Sequence, residues 1–399
     1  MAKIGIYGGS FNPPHLGHIL AAREFQRALG LDRMVFVPAA TPPHKVLPPD
    51  SPDAQTRLEL LKLAVRGLDF AVVDELELHR AGASYTVDTL RQLRESYPGD
   101  ELYLCMGTDM FRSFESWYQP RQICAMARIA MAHRQAPDSE ELRALTEAFR
   151  KAHDAEPIVL RNDFLEVSST QVRRLLVLGG AEDYLDPGVL EQIRARGLYG
   201  TARSRKNLDF ETLKRESLLL HKDSRVRHVI GCSETARELA LVHGADPDAA
   251  QRAGILHDVT KALDGRDQLR LCGKYGIIIS DFDREHTKLL HAVTGAAAAE
   301  RVFGESEAVC QAIRWHTSGK ADMSTLEKII YVADYMEPNR DFPGVEKLRK
   351  LAYTDLDEAL LLGLTMTAEH LKRQGAVMGR HSLEAMAFLT QGKERMQTK

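Results

Sequence analysis

The sequence contains no Cys-x-x-Cys pair. Its five cysteines, Cys105, Cys124, Cys232, Cys272 and Cys310, are scattered along 399 residues. That scatter argues against a disulfide framework and suits free, buried thiols in a reducing compartment. Long apolar runs are missing too: none approaches the roughly 18 residues of a membrane span. The first apolar run, "KIGIY", is broken too quickly by Gly and Pro to serve as a signal peptide, so a cytoplasmic protein without a membrane partner is expected. Charge of one sign is equally scarce. A net charge of -3 gives no global attraction for nucleic acid, and phosphate chemistry must rest on local sites. What remains is an ordinary globular composition, 44% hydrophobic and 27% charged. At about 150 residues per domain, the length predicts two or three domains.

The two halves differ in periodicity. Up to about residue 200, β-rich runs ("KIGIY", "MVFVP", "FAVVD", "ELYLCMG", "ARIAMAH") alternate with helical ones (Leu16 to Leu29, "DAQTRLELLKLAVRG", "TVDTLRQLRES"). Such alternation implies βαβ units and a parallel sheet covered on both faces, a Rossmann-like α/β domain over residues 1–200. Ser51-Pro52 reads as a helix cap followed by a first-turn proline, and Thr86 opens the next helical run. "GTARSRKNLD" is polar and basic, and residues 201–209 are taken as a linker. Residues 210–399 read as amphipathic helices separated by Gly and Pro, an all-α domain.

The stretch Gly8 to His18, "GGSFNPPHLGH", lies between the first strand and the first helix, where open parallel sheets bind ligands. It lacks both the G-x-G-x-x-G of a dinucleotide fold and the Lys-Ser/Thr of a P-loop. Gly8 and Gly9 let backbone amides approach phosphate oxygens, and the helix start adds its positive dipole end. His15 and His18 stand three apart, so both can reach one phosphate. If a phosphate attacks another phosphate, the nucleophile is already ionised. Catalysis then reduces to alignment and to stabilising charge on the pentacoordinate centre. A metal pair or an incidental surface pair are the alternatives for the two imidazoles alone. Ser168, Ser169 and Thr170 in "VSSTQVR" cap a later helix, on which Arg173 aims a guanidinium at the triphosphate.

Together, "GGSFNPPHLGH" and "VSSTQVR" resemble the two signatures of the nucleotidyltransferase superfamily. "PAATPPHK", "SYTVDTL" and "MGTDMFRSFESWYQP" are similar to bacterial nicotinate-nucleotide adenylyltransferases, over roughly residues 1–200. The resemblance implies ATP with Mg²⁺ and nicotinate mononucleotide as partners. It implies catalytic roles for His15, His18 and Arg173, and nucleotide contacts from Gly8, Gly9, Ser10, Phe11, Gly107, Ser169 and Thr170. It places Lys45 near phosphate, Tyr85 and Thr86 on the pyridine nucleotide, Asp109 on the ATP side and Arg134 on nucleotide. Trp117 would stack on the pyridine ring, a sensible partner for a flat heterocycle. Without the resemblance, Trp117 reads as a core residue.

The helical half carries nine histidines. His257-Asp258 in "AGILHDVTK" lies within an apolar helical run, and Asp334 interrupts "IIYVADYM". A buried carboxylate there needs a metal or a cation partner. Lys261, three residues after Asp258, is read as adjacent on the same helical face. With His228, His291 and His316, the constellation resembles the HD superfamily of metal-dependent phosphohydrolases. "LEKIIYVADYMEPNRDFPGVEKLR" with "AIRWHTSGK" is similar to the YqeK-type members, symmetrical diadenosine tetraphosphatases that cleave Ap4A to two ADP. This implies His228, His257, Asp258 and Asp334 as ligands of a first Fe, Mn or other divalent ion, with Asp258 also catalytic. His291 and His316 would complete a second metal site or bind phosphate; Lys261, Thr317, Arg340 and Phe342 would lie near the nucleotide. His286 competes with His291 for its place. A non-catalytic nucleotide sensor regulating the first domain is the rival reading of this half.

Overall fold

The computed structural model describes residues 1–42, 46–80, 82–133, 140–161 and 167–397. They form two compact units, Met1–Arg203 and Ser204–Lys399.

The first unit holds six parallel strands: β1 (Lys3–Gly9), β2 (Arg33–Pro38), β3 (Ala71–Val73), β4 (Glu101–Gly107), β5 (Arg128–His133) and β6 (Ile158–Arg161). Their order is β3-β2-β1-β4-β5-β6. The chain therefore builds outward from β1 on one side, then returns to its other side at β4. Ligands of open α/β sheets bind at such a reversal, beyond the strands' carboxyl ends. The loop from Gly8 to His18 leaves β1 there, and the segment from Gly107 leaves β4.

Alternation along the strands sorts the core into two faces. Ile4, Ile6, Val35, Val37, Leu102, Leu104 and Met106 pack against Val87, Leu90 and Leu93 of the helix Thr86–Ser96. Met34, Phe36, Tyr103 and Cys105 face the other way, onto Ala22 and Phe25 of the helix Leu16–Leu29. β6 was not among the expected strands. The expected cap at Ser51 is also corrected: the helix Ala54–Val65 is capped by Asp53, whose carboxylate accepts from the Thr56 amide at 2.7 Å. A full negative charge serves a helix N-terminus better than a hydroxyl does. Ser51 Oγ instead accepts from Asn12 Nδ2 at 2.7 Å.

The second unit is helical, with no strand among its described residues. Helices Asp223–His243, Pro247–Leu256, Leu290–Ala298, Glu307–Trp315 and Thr325–Met336 surround a core including Val229, Leu239, Ile255, Leu256, Ile313, Ile329 and Ile330. The first two of these helices approach closely at Gly254. A Cβ there would lie 2.6 Å from Ser233 Cα, a backbone atom that cannot swing aside. All five cysteines are free, four buried and Cys124 half-buried. Among the described residues, no helix is long and apolar enough to cross a membrane.

Gly254→Ala is therefore expected to destabilise the second unit by about 1–3 kcal/mol through overpacking. Chemical denaturation measures it, and an unchanged midpoint would contradict the close approach.

Candidate active sites

In the first unit, the helix Leu16–Leu29 is capped by imidazoles instead of a hydroxyl and a carboxylate. His15 is the N-cap residue, and its backbone N–H donates to His18 Nδ1 at 3.1 Å. The two rings stack at 3.6 Å with 27° between their planes. Because His18 Nδ1 accepts, the proton of the neutral ring is assigned to Nε2, which becomes a donor. His18 is half-buried, and desolvation pushes its pKa down from 6.5 to about 3, so the ring is neutral at pH 7. Gly17 explains the glycine between the histidines. A Cβ there would press on His15 Nδ1 and Val167 Cγ1, both at 3.0 Å.

The loop is held from both sides. Ser169 Oγ donates to the Pro13 carbonyl at 2.9 Å, and Arg173 Nη1 donates to the Asn12 carbonyl at 2.6 Å. Arg173 Nη2 donates to Thr170 Oγ1 at 3.0 Å. Both terminal nitrogens of Arg173 thus bond the loop and its own helix. Ser168 is the helix N-cap, accepting from the Gln171 amide. Sequence reasoning missed Arg57. Only 1% exposed, it donates to the Ser10 carbonyl at 2.6 Å and the Ala40 carbonyl at 3.0 Å. Its only trace in the sequence is an arginine in a leucine-rich helical run.

Around the end of β4, Gly107 is the N-cap of the short helix Thr108–Arg112, and Asp109 is exposed. Trp117 is half-buried with its ring 5.3 Å from Phe114, so it touches the core while keeping exposed surface. Tyr85 precedes Thr86 at the start of its helix, and its ring lies 4.9 Å from Tyr118. Gly8 has open space where a side chain would be, whereas Gly9 abuts the Phe11 ring. Lys45 and Arg134 lie outside the described residues.

In the second unit, six side chains converge. His228 Nε2 is 3.3 Å from His257 Nε2 and 3.1 Å from Asp334 Oδ1. His257 Nε2 lies 3.5 Å from Asp258 Oδ2. The other oxygen, Asp258 Oδ1, faces His291 Nε2 at 3.2 Å and His316 Nε2 at 3.7 Å. His291 Nε2 and His316 Nε2 are themselves 3.2 Å apart. Asp258 thus turns one oxygen to each pair of imidazoles.

The outer nitrogens settle what the inner ones offer. His257 Nδ1 lies 2.7 Å from the Gly254 carbonyl, His291 Nδ1 2.7 Å from that of Lys288, and His316 Nδ1 2.6 Å from that of Ile313. His228 Nδ1 lies 3.1 Å from Glu337 Oε1. Every Nδ1 has an acceptor, so in the neutral rings each Nε2 turns a lone pair inward. Burial would raise both carboxyls. Yet His257, whose own pKa its neighbours raise well above the usual imidazole value against burial, leads in holding Asp258 well below the usual carboxylate range, and a hydrogen bond from His228 leads in doing so for Asp334. Arg225 and Arg340 each bond one of the acids; where the rings are neutral, their lone pairs would still face ionised oxygens, and a metal ion among them would satisfy both. The donor set, imidazole nitrogen with carboxylate oxygen, fits a divalent transition metal. Two triads have ligand atoms within 4.8 Å of one another: His228, His257 and Asp334, and His257, Asp258 and His316.

Two expectations are corrected here. The helix Pro247–Leu256 ends before the His-Asp pair; His257 is its C-cap, and Asp258 lies in the turn beyond. The free carbonyls of a helix end are what let His257 bond Gly254. Lys261 therefore shares a turn, not a helical face, with Asp258, and its Nζ lies 3.1 Å from His291 Nε2. His291 is the histidine brought into the cluster, while His286 stacks on Phe282 at 4.0 Å. Arg340 Nη2 donates to Asp334 Oδ1 at 2.6 Å. Thr317, next to His316, and Phe342, edge-on to Tyr335, are half-buried. Glu337 and Arg225, which bonds Asp258 Oδ2, were missed.

The chain matches the cytidylyltransferase-like family over residues 6–175 and the HD domain over residues 225–339. A probable nicotinate-nucleotide adenylyltransferase of Borreliella burgdorferi is 33% identical over 198 residues, covering 49% of this chain and 96% of that protein. One from Thermus thermophilus is 40% identical over 199 residues, covering 49% of this chain and 99% of that protein. A solved structure described as a predicted HD superfamily hydrolase involved in NAD metabolism, from Clostridium acetobutylicum, is 35% identical with a TM-score of 0.45, covering 46% of this chain and 98% of that one. With an imidazole-capped loop on a parallel sheet and near-complete coverage of the two adenylyltransferase relatives, the chain belongs through its first half to the nicotinate-nucleotide adenylyltransferase family and carries an HD domain in its second.

Proposed function

We propose that the chain is a bifunctional enzyme of adenine nucleotide chemistry. Its first unit transfers AMP from ATP to nicotinate mononucleotide, giving deamido-NAD and pyrophosphate. The observation that carries this reading is the His15–His18 pair at the start of the helix, with the His18 Nε2–H free to donate. A phosphate oxygen of the mononucleotide attacks the α-phosphorus of ATP, and the bond to the pyrophosphate oxygen breaks. No proton has to be removed from the nucleophile.

His15 and His18 stabilise the extra charge on the reacting phosphorus oxygens, and the amides of Gly8, Gly9, Ser10 and Phe11 line the phosphate path. Ser169, Thr170 and Arg173 keep that path in shape, while Mg²⁺ travels with the ATP. Tyr85, Thr86 and Trp117 receive the pyridine nucleotide, Gly107 and Asp109 the ATP side, Lys45 a phosphate and Arg134 the nucleotide.

The second unit hydrolyses Ap4A symmetrically to two ADP. The convergence of four Nε2 lone pairs on Asp258 and Asp334 supports this reading. His228, His257, Asp258 and Asp334 would hold the first divalent ion, Fe or Mn by the chemistry of their donors. Such an ion supplies Lewis-acid polarisation and a hydrolytic nucleophile near neutral pH. Lys261, Arg340 and Arg225 place positive charge around the acids, where polyphosphate oxygens would lie, and Thr317 and Phe342 flank them. His291 and His316 face Asp258 Oδ1. Two bound ions per chain would assign them to a second metal, one ion to phosphate.

His18→Ala should lower adenylyl transfer by about 100- to 1000-fold, the scale of losing one charge-stabilising donor, and leave Ap4A hydrolysis intact. Asp258→Ala should do the reverse. Parallel loss of both activities in either folded variant would contradict separate sites. Chromatography of Ap4A incubated with the Mn²⁺- or Fe²⁺-loaded protein should show ADP alone as product. Bound nucleotide without turnover would instead favour a sensor.

The His18 shift also fixes a pH dependence. The unfolded ring takes its proton near pH 6.5 and the folded ring only near 3. Stability is therefore complete above about pH 6.5 and declines as pH falls toward 3. Denaturation at several pH values should show His18→Asn to be less acid-sensitive than the parent. Equal acid sensitivity would contradict the desolvated neutral ring.

A further inference from the structure

Three of the four converging histidines bond a backbone carbonyl three residues earlier, and each can do so because it sits at a helix end. His228 cannot. It lies inside the helix Asp223–His243, where the preceding carbonyls are engaged in the helical ladder. Its Nδ1 meets a carboxylate from 109 residues away, Glu337 Oε1, at 3.1 Å.

Glu337 follows directly on the helix Thr325–Met336, which carries Asp334. One short segment therefore puts a carboxylate on each nitrogen of His228: Asp334 Oδ1 at Nε2 and Glu337 Oε1 at Nδ1, both at 3.1 Å. Glu337 is 1% exposed, and no Lys or Arg lies within ion-pair distance of its carboxylate among the described residues. Its second oxygen is fixed by Asn339, whose backbone N–H and Nδ2 donate to Oε2 at 2.8 and 2.7 Å. Gly231, one turn on from His228, makes room. A Cβ there would lie 2.4 Å from Glu337 Oε2 and 3.1 Å from Asn339 Nδ2.

A buried carboxylate without a cation of its own is costly. That cost is offset if its charge acts through the imidazole on a cation beyond it. Resting on the metal-site reading above, we infer that Glu337, held by Asn339 and admitted by Gly231, is a positioning residue that fixes the Nδ1–H form of His228 and strengthens its Nε2 as a metal ligand. The "EPNR" segment then has a role on both sides of the site: Glu337 and Asn339 act on His228, and Arg340 braces Asp334.

The test is Mn²⁺ affinity of the full chain by chelator competition, beside the unfolding midpoint of the chelator-treated protein. Glu337→Gln keeps the shape and removes the charge; Gly231→Ala keeps the charge and displaces it. Both should weaken Mn²⁺ binding by about 10- to 100-fold, with Glu337→Gln leaving the metal-free midpoint near that of the parent. If the parent binds Mn²⁺ and both variants bind it equally well, the inference is overturned and the metal site stands. If the parent itself binds no divalent ion, the metal-site reading fails, and this inference with it. Should Glu337→Gln not fold, Asn339→Ala replaces it, with a smaller loss of affinity expected and an unchanged affinity overturning the role.

Discussion

Two ionised carboxylates and four inward-facing imidazole nitrogens are gathered where water is largely excluded, and the second unit is organised around satisfying them. Helix ends supply the means. His257 and His316 follow directly on helices, and His291 lies near the start of one, so each can spend its outer N–H on a local carbonyl and turn its other nitrogen inward. Only His228 lies in the interior of a helix, beyond its first turn, and there a buried glutamate replaces the carbonyl. The helices that pack closely at Gly254 also fix the distance between His228 and His257. Packing and ligand geometry are thus one constraint in this unit.

The first unit meets the opposite requirement with some of the same groups. Its ligands are anions, so its loop needs donors, and the His18 ring is oriented with Nδ1 accepting and Nε2 donating. In the second unit the rings are reversed, with Nδ1 donating and Nε2 accepting. The hydrogen bond made by the other ring nitrogen decides whether a histidine presents a proton or a lone pair. One residue type therefore serves the proposed phosphate site and the proposed metal site in the same chain.

Much of this was legible in the sequence because it is local. The alternation of strands and helices follows from periodicity, and the helices Leu16–Leu29 and Thr86–Ser96 have the bounds read from it. The loop histidines stood out because they replace a lysine where phosphate chemistry was expected. Pairings across long separations were not legible. Arg57 reaches a carbonyl 47 residues away, and Arg225 a carboxylate 33 residues away. Nothing in a leucine-rich run or at a helix start marks either partner. The misplaced cap at Ser51 had a different cause: two acceptable capping residues stood two positions apart, and the charged one won. The turn after Leu256 was hidden because "AGILHDV" is as apolar as the helix it ends.

The central claim is that the buried cluster of the second unit binds a divalent cation, and its most direct test is thermal unfolding of the chelator-treated chain with increasing Mn²⁺. Binding to the native state alone stabilises it in proportion to the logarithm of free metal once the site is saturated. The account predicts an unfolding temperature that rises steadily with Mn²⁺ and returns to its starting value on renewed chelation. An unfolding temperature indifferent to Mn²⁺ across that range would contradict it.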